Sequence, residues 1–256
     1  MDYSLLDHPT ILQVLFYPRQ EWYAPPPGAS DHMVEVGPGL ALSARFYPAS
    51  PTGPNLLFFH GNGEVAFDYD DTAPLYQREG INLFVADYRG YGRSGGLPDF
   101  SSIVKDAVAT YPHFRRLLEA QGFTGRRFVM GRSLGAHPAL NVALAYPDEI
   151  SGIIIESGFV EPAHLLRHSR AAASEVEALV RSIAETLSTI RIPALIIHGE
   201  RDELVPLTQA EFLQRSLGST QKRLVVIPGA GHNDIMMVGL ETYFRSIREF
   251  VEHLAE

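Results

Sequence analysis

The chain has 256 residues, of which 45% are hydrophobic and 20% charged, a composition typical of a globular α/β domain. Its formal net charge of −9 argues against a nucleic-acid partner, and the absence of cysteine excludes disulfides, thiolate metal ligands and a cysteine nucleophile. The N-terminal MDYSLLDHPT lacks the basic start and apolar run of a secretion signal, and no window approaches the ~20 apolar residues of a membrane span. We therefore expect a cytoplasmic protein without an integral membrane segment.

In chain order, a lead-in over residues 1–33 ends in the proline-rich stretch APPPGAS, and short apolar runs then alternate with helical patterns. The runs are NLLFFHG, INLFVADY, RFVMG, GIIIES, ALIIHG and RLVVIPG, whose branched and aromatic residues favour strands buried on both faces of a parallel sheet. Helical periodicity covers 101–120 and 134–146 and ends near Gly122 and Pro147. The alternation predicts a mostly parallel sheet with helices on both faces and functional residues at the carboxyl ends of the strands.

Residues 160–190 break this alternation. The stretch VEPAHLLRHSRAAASEVEALVRSIAETLSTI is rich in alanine and glutamate, helix-prone and longer than a simple crossover needs. It forms either one crossover helix with a long approach or a small helical cap over the site, and we favour the cap. The sequence has no internal repeat and no second domain boundary, so we predict a single domain over residues 1–256.

The pattern G-x-S-x-G occurs twice, in GRSLG (131–135) and GRSGG (92–96). Ser133 lies directly between an apolar strand and a helical segment, where a tight turn presents a hydroxyl above the sheet edge and small neighbours prevent collisions. Ser94 lies seven residues past Asp87, where its apolar run ends, and is followed by GGLPD, which cannot begin a helix. We predict that Ser133 is a nucleophile and that Ser94 belongs to a loop turn.

A serine hydroxyl needs a general base, and three histidines follow apolar runs. His232 comes after RLVVIPGAG and precedes the last helical segment, which places it in a loop at the carboxyl edge of the last strand. His60 and His198 end their strands and are each followed by glycine, so we interpret them as supports at strand ends. The pattern predicts His232 as the base.

The base in turn needs a carboxylate that orients it. Asp202, in ALIIHGERDELVP, lies four residues past a strand end and is the predicted acid. Glu156, at the end of another strand, and Asp234, beside the histidine, are alternatives, of which Glu156 is the better reserve. The other interpretation of Asp202 is a turn residue that caps the helix after Pro206.

Acyl transfer also needs two donors that stabilise a developing oxyanion. The backbone N–H of Leu134, directly after the nucleophile, is the first predicted donor. The second is expected from HGNGE (60–64), whose glycines let the backbone approach the substrate closely. Asn62 is the predicted residue, with Gly63 as the alternative.

Taken together, these segments resemble the serine α/β-hydrolase superfamily over nearly the whole chain from Leu40 onwards. The serine, acid, histidine order is that of the superfamily. FHGNGE, DYRGYGRS, GRSLG and the early LFYPR (15–19) are most similar to the branch of protein depalmitoylases, monoglyceride lipases and serine-aminopeptidase-like hydrolases. The segments that carry the resemblance are HGNGE (60–64), DYRGYGRSGG (87–96), GRSLG (131–135), HGERDELVP (198–206) and GAGHND (229–234).

The resemblance implies an α/β-hydrolase fold and a serine hydrolase that cleaves a carboxylic ester or thioester of a small-molecule acyl substrate through an acyl-enzyme. It implies neither a metal nor an organic cofactor. One alternative is a serine-aminopeptidase-like peptidase or amidase, for which Glu156 and Glu161 would supply carboxylates to a free amino terminus. A non-catalytic binding protein on this fold is a weaker alternative, because all three triad positions are filled.

Substrate-pocket residues are expected near the motif loops, and we select Phe67, Phe159, Leu165 and Met236; ordinary packing is their other interpretation. Pro138, in the helix after the nucleophile, is expected to kink that helix. The sequence does not predict the acyl-chain length or the oligomeric state.

Overall fold

The computed structural model describes residues 1, 3–159, 166 and 172–253, and an eight-stranded sheet lies at its centre. The strand order is β1-β2-β4-β3-β5-β6-β7-β8; β1 pairs antiparallel with β2 and β2 with β4, and all other pairs are parallel. The strands are β1 (Ser30–Gly37), β2 (Leu40–Tyr47), β3 (Asn55–Phe59), β4 (Asn82–Ala86), β5 (Arg127–Arg132), β6 (Gly152–Glu156), β7 (Ala194–Gly199) and β8 (Lys222–Ile227).

The six apolar runs of the sequence are β3 to β8, so the predicted mostly parallel sheet is confirmed. The antiparallel pair β1 and β2 was not predicted as strands. The side chains of β1 are mostly half-buried, as expected at a sheet edge, and its polar sequence SDHMVEVG gives no continuous apolar run. The prediction of a lead-in to residue 33 was therefore too long, because β1 begins at Ser30.

Helices cover both faces of the sheet, as predicted. Those whose buried residues join the core on one face are α1, α3, α4, α5 and α6, and those on the other face are α2 and α7. Within the described residues, no helix is both long and apolar enough to cross a membrane. The helices are α1 (Pro9–Leu15), α2 (Ala73–Arg78), α3 (Phe100–Gln121), α4 (Ala136–Ala145), α5 (Ala173–Leu187), α6 (Leu207–Ser216) and α7 (Ile235–His253).

The two faces alternate along each buried strand, as side chains in a strand must. Leu57 and Phe59 of β3 pack into the core beneath α3 and α4, whereas Leu56 and Phe58 pack into the core beneath α2 and α7. Strands that are buried on both faces need apolar residues at every position. This is why the strands were readable as uninterrupted apolar runs.

Local signals define the helix ends next to the sheet. Asp99 caps α3 by accepting a hydrogen bond from Ser102 N at 2.6 Å, and Gly122 ends the helix with φ 77°. Pro138 lies in the first turn of α4, after a 3-10 turn at Ser133–Gly135. Proline is tolerated in a first helical turn, so its position does not require the kink that we expected.

The predicted cap at 160–190 falls partly outside the described residues, which omit 160–165 and 167–171. Its described part contains α5, which buries Ile183 and Leu187 in the core on the same face as α4. The C-terminal half of α5 is therefore packed as a crossover helix would be. The cap remains a prediction.

Candidate active site

Ser133 lies at the turn between β5 and α4, with φ of +51°. This left-handed conformation is strained for a residue with a Cβ, at a cost of about 1–3 kcal/mol, and needs support from its surroundings. The turn is also too tight for side chains at its flanks. A Cβ on Gly131 would lie 2.1 Å from the carbonyl oxygen of Gly135, and a Cβ on Gly135 would lie 2.0 Å from that of Phe59. The motif glycines are therefore required by close backbone contacts.

The structure brings the three predicted triad side chains together. His232 Nε2 lies 3.0 Å from Ser133 Oγ, and His232 Nδ1 lies 2.8 Å from Asp202 Oδ2. The three residues come from the ends of β5, β7 and β8, whose carboxyl termini share one edge of the sheet. The imidazole thus lies between a hydroxyl and a carboxylate, within hydrogen-bond distance of both.

Asp202 is buried and its carboxylate is saturated with donors. Its Oδ1 accepts hydrogen bonds from Leu204 N at 3.0 Å and Val205 N at 2.7 Å, and its Oδ2 faces His232. Burial opposes the charge of this carboxylate, but the hydrogen bonds from His232 and Val205 outweigh burial and lower the pKa of Asp202. A carboxylate that stays ionised is what the neighbouring imidazole needs in order to be held in one tautomer.

Behind Asp202 lies His198, one of the two histidines interpreted as strand-end supports. Its Nε2 is 2.7 Å from Val205 O and 3.5 Å from Asp202 Oδ2. Burial lowers the pKa of His198, so this imidazole is neutral near pH 7. A neutral His198 that donates to Val205 O helps to fix the loop that holds Asp202.

The other candidate acids are occupied elsewhere. Glu156 is fully buried and accepts a hydrogen bond from Tyr243 Oη at 2.7 Å. Asp234 Oδ1 accepts from Gly231 N at 2.6 Å, within the loop that carries His232. Of the three carboxylates considered from the sequence, Asp202 is the one within hydrogen-bond distance of the imidazole.

The two predicted oxyanion donors lie on the same cavity as Ser133. Leu134 is the second residue of the 3-10 turn at Ser133–Gly135, where the first N–H groups have no intrahelical acceptor. The N–H of Asn62 has no hydrogen-bond partner among the described residues, whereas the neighbouring Gly61 N donates to Glu64 Oε2 at 2.9 Å. Among the described residues, therefore, each of the two segments named for the oxyanion hole presents an N–H group without a protein acceptor.

The cavity at Ser133 has a volume of about 410 Å³ and a largely apolar wall. Several wall residues come from the N-terminal segment and from the loop after β7. The sequence analysis did not identify them as pocket residues, because neither segment shows the periodicity of a helix or strand that would indicate which side chains face the site. Four of them lie in the LFYPR and HGERDELVP segments, so the presence of these two motifs was the sequence signal that could have indicated them. The cavity is lined by Leu15, Tyr17, Asn62, Phe100, Arg132, Ser133, Leu134, His137, Leu204, Val205, His232 and Asn233.

The three predicted pocket residues that the structure describes, Phe67, Phe159 and Met236, are not among those that line this cavity. Phe159 is fully buried in the core, where its ring packs 5.0 Å from that of His137. Phe67 lines a small separate cavity near Trp22, and Met236 lines a neighbouring groove with Glu64. The structure thus places these three side chains away from the described cavity wall, because proximity to a motif along the chain does not fix which way a side chain points, and their role in substrate binding stays a prediction. The fourth, Leu165, lies outside the described residues.

Arg132, directly before the nucleophile, was also missed. Its guanidinium bridges two carboxylates, donating to Glu64 Oε1 and, at 3.2 Å, to Glu156 Oε1. It also donates to His232 O at 3.3 Å and to Asn233 Oδ1 at 3.0 Å. One side chain thus connects the HGNGE loop, the end of β6 and the loop that carries the imidazole. A charged residue at the end of an otherwise apolar strand was the sequence signal.

The charges of this cluster are mutually dependent. Burial opposes the charge of Arg132, but Glu156 and Glu64 together raise its pKa. Burial also opposes ionisation of Glu64, yet Arg132 lowers the pKa of this carboxyl below its usual range. For the more deeply buried Glu156, burial prevails over Arg132 and raises its pKa. The guanidinium is therefore paired and not available to an anionic ligand.

Ser94, the serine of the second motif, is buried with 5% of its surface exposed. Its Oγ accepts a hydrogen bond from Ser43 N at 2.9 Å. Its hydroxyl lies in the interior between β2 and the loop after β4, away from the cavity at Ser133.

Comparison with known proteins places this geometry in context. The sequence matches the family described as "Serine aminopeptidase, S33" over residues 51–184 and 167–236. The Alpha/beta hydrolase domain-containing protein WAV2 of Arabidopsis thaliana is 29% identical over 245 residues, which cover 88% of this chain and 79% of that protein.

Two solved structures are similar to most of this chain. The Pyrococcus furiosus esterase Pf2001 has a TM-score of 0.73 at 18% identity and covers 94% of this chain and 100% of its own. Est1E of Butyrivibrio proteoclasticus, with bound ferulic acid, has a TM-score of 0.72 at 18% identity and covers 87% of this chain and 98% of its own. These likenesses confirm the predicted α/β-hydrolase fold.

Proposed function

The chain belongs to the family described as Serine aminopeptidase, S33, within the α/β-hydrolases, and on that premise we propose that it is a serine hydrolase cleaving a carboxylic ester or thioester. The observation that carries the proposal is the continuous hydrogen-bonded chain from Ser133 through His232 to Asp202, with separations of 3.0 and 2.8 Å. This arrangement provides a nucleophile, a base that reaches it and a carboxylate that orients the base.

In the proposed reaction, Ser133 Oγ attacks the acyl carbon while His232 Nε2 takes its proton. The bond from that carbon to the leaving oxygen or sulfur then breaks, and His232 returns the proton to the leaving group. Water attacks the acyl-enzyme with the same imidazole as base, which releases the acid and restores Ser133. Asp202 stabilises the imidazolium at both stages without taking its proton.

The oxyanion that forms in each half-reaction would be held by the N–H groups of Leu134 and Asn62. Both residues line the cavity with the nucleophile. Donors fixed before the reaction begins are effective because they need no rearrangement as charge develops, and one such donor contributes about 3–4 kcal/mol to the transition state.

An ester or thioester fits this cavity better than a peptide with a free amino terminus. An aminopeptidase needs a carboxylate that is available to a substrate ammonium group. Glu156, the described candidate, is buried and paired with Arg132 and Tyr243; Glu161 lies outside the described residues. The wall is instead apolar, with Leu15, Leu134 and Leu204 beside the nucleophile, which suits an acyl chain or an aromatic acid. The named esterases among the structural neighbours favour the same class.

The test is hydrolysis of a series of p-nitrophenyl esters from acetate to decanoate, with matching acyl thioesters and aminoacyl p-nitroanilides. We expect turnover of esters or thioesters above that of the anilides. Ser133→Ala should lower kcat by about 10⁴-fold or more. Ser94→Ala, the matched serine from the second motif, should retain the wild-type kcat. Equal turnover by Ser133→Ala and wild type would refute the proposal, and anilides as the best substrates would favour the peptidase.

A further inference from the structure

The LFYPR segment (15–19) holds the HGNGE loop through its side chains and backbone. Asn62 Nδ2 donates a hydrogen bond to Leu15 O, and Tyr17 N donates to Asn62 Oδ1 at 3.0 Å. Arg19 Nη1 donates to Gly63 O at 3.1 Å, and the same guanidinium pairs with Asp68. The LFYPR segment therefore contacts the loop from which one oxyanion donor is expected. The two are distant in sequence, since 47 residues separate Leu15 from Asn62.

Tyr91 completes this arrangement from the other side. Its hydroxyl donates to Asn62 Oδ1 at 2.8 Å and accepts from Tyr17 N at 3.1 Å, while its ring is fully buried. The oxygen of the Asn62 amide thus meets two donors, and its nitrogen meets a carbonyl. This pattern fixes the amide in one orientation, because the reversed amide would face donors with its NH₂ group and a carbonyl with its oxygen.

The segment that makes these contacts is itself anchored. Leu6 and Phe16 are buried in the core, and Asp7 accepts hydrogen bonds from the first N–H groups of α3, those of Phe100 at 2.7 Å and Ser101 at 3.2 Å. An acidic side chain at a helix N-terminus is favourable. The hydrogen bonds to Asn62 thus come from a segment fixed to the sheet and its helices.

We propose that the Asn62 side chain is a positioning group, which the LFYPR segment and Tyr91 use to hold the Asn62 backbone N–H in the oxyanion hole. The inference rests on the proposed acyl transfer at Ser133. Its physical reason is geometric: an oxyanion donor is effective only when it lies about 2.7–3.1 Å from where the oxygen will be. Loss of the side-chain contacts leaves the N–H in the chain but lets the loop move. Leu15 and Tyr17 also line the cavity, so the same segment would contact a substrate bound there.

Two substitutions test this role without removing the donor itself. Asn62→Ala deletes the amide, and Tyr91→Phe deletes the hydroxyl and keeps the ring. We expect kcat for the best ester to fall by about 10- to 100-fold in Asn62→Ala, short of the full loss for an absent donor, and less in Tyr91→Phe. KM should change little, because the oxyanion forms only in the transition state. Tyr111→Phe is the matched control, since that buried tyrosine contacts Glu149, in the loop between α4 and β6, at 3.3 Å; its kcat should equal that of the wild type.

An alkylboronic acid, whose adduct with the serine is tetrahedral, supplies a second measurement. Its inhibition constant should rise in Asn62→Ala by the same factor by which kcat/KM falls, whereas a general loss of folding would lower the active fraction without changing that constant. Unchanged kcat and boronate affinity in folded Asn62→Ala would overturn the inference. An inactive wild type, or an active Ser133→Ala, would instead refute the proposed function.

Discussion

The two G-x-S-x-G segments share a pattern and have opposite roles in the structure. Around Ser133, the order of side chains is serine, histidine, aspartate, with His232 between the other two. Around Ser94 the same residue types occur in another order. Ser43, the serine that contacts Ser94 in the structure, donates to Asp87 Oδ2 at 2.5 Å. His60 Nε2 lies 3.2 Å from the other oxygen of that carboxylate.

The difference teaches that the central group decides what such a cluster does. An imidazole in the centre takes a proton from the hydroxyl on one side and is stabilised by a carboxylate on the other. A carboxylate in the centre only accepts: Asp87 receives hydrogen bonds from Ser43 Oγ and, at 2.8 Å, from Ala66 N. All side chains of this second cluster are buried, and the cavity that Ser43 and Asp87 line has a volume of only about 60 Å³, against about 410 Å³ at Ser133. The cluster connects β2, β4 and the loop after β3.

The largest expected contrast is between the two aspartates. Asp202→Asn should lower kcat/KM by about 10⁴-fold at pH 7, because an amide favours the wrong tautomer of His232. Asp87→Asn should keep most of its activity and lose about 1–3 kcal/mol of unfolding free energy, since buried donors lose their acceptor. Ester kinetics and urea denaturation of both variants provide the measurement. Two results would contradict the assignment. One is a large loss of stability with intact kcat in Asp202→Asn, and the other is a large loss of kcat with intact stability in Asp87→Asn.

The second contrast concerns glycines, one from each motif. Gly135→Ala should lower the unfolding free energy by about 3 kcal/mol, because the added Cβ would meet the Phe59 carbonyl at 2.0 Å. Gly95→Ala should cost less than about 1 kcal/mol, since its Cβ would meet the tip of Leu40 at 3.3 Å and no backbone atom closer than Ala41 O at 4.0 Å. Denaturation midpoints and slopes of the two variants are the readout. Equal losses would show that the turn at Ser133 is not set by close backbone contacts.

The last expected effect, at most about 1.4 kcal/mol for each pH unit, is a pH dependence of stability on the Ser133 side. Burial lowers the pKa of His137, one turn into the helix after Ser133, to about 3, against ~6.5 in an unfolded chain. The unfolded state then binds the proton first as pH falls. The contribution of His137 to the unfolding free energy is therefore complete above pH ~6.5. It decreases as the pH falls towards ~3, by at most about 1.4 kcal/mol per pH unit.

Denaturation at several pH values, with His137→Phe for comparison, measures this contribution. The variant should show a shallower loss of stability between pH 6.5 and 4.5 than the wild type. Parallel curves would mean that His137 is not held neutral by the fold.

Much of the fold was predictable because its strands are buried on both faces. A run such as ALIIHG needs no knowledge of its neighbours to be read as a central strand, and the residues just after such runs share one edge of the sheet. The three triad positions followed from this rule together with residue type. The strand β1 could not be read in this way because its side chains are mostly half-buried. The strand β2 is mostly buried, but its buried Ser43 and Arg45 interrupt the apolar run.

The cavity wall was not predictable by the same reasoning. Tyr17 reaches the site from a segment without periodicity, although 61% of its surface is exposed. Arg132 has its role because two carboxylates, one from the HGNGE loop and one from the end of β6, converge on it. Such contacts depend on side-chain direction across distant segments, which neither apolar runs nor motif spacing specifies.

The central claim is that Ser133 is the acylated residue, and covalent labelling with a fluorophosphonate followed by peptide mass spectrometry tests it most directly. We expect one label per chain, on the peptide that contains Ser133, with loss of esterase activity in proportion to labelling. His232→Ala should label far more slowly. A label on Ser94, or full ester turnover by a chain labelled at Ser133, would contradict the account.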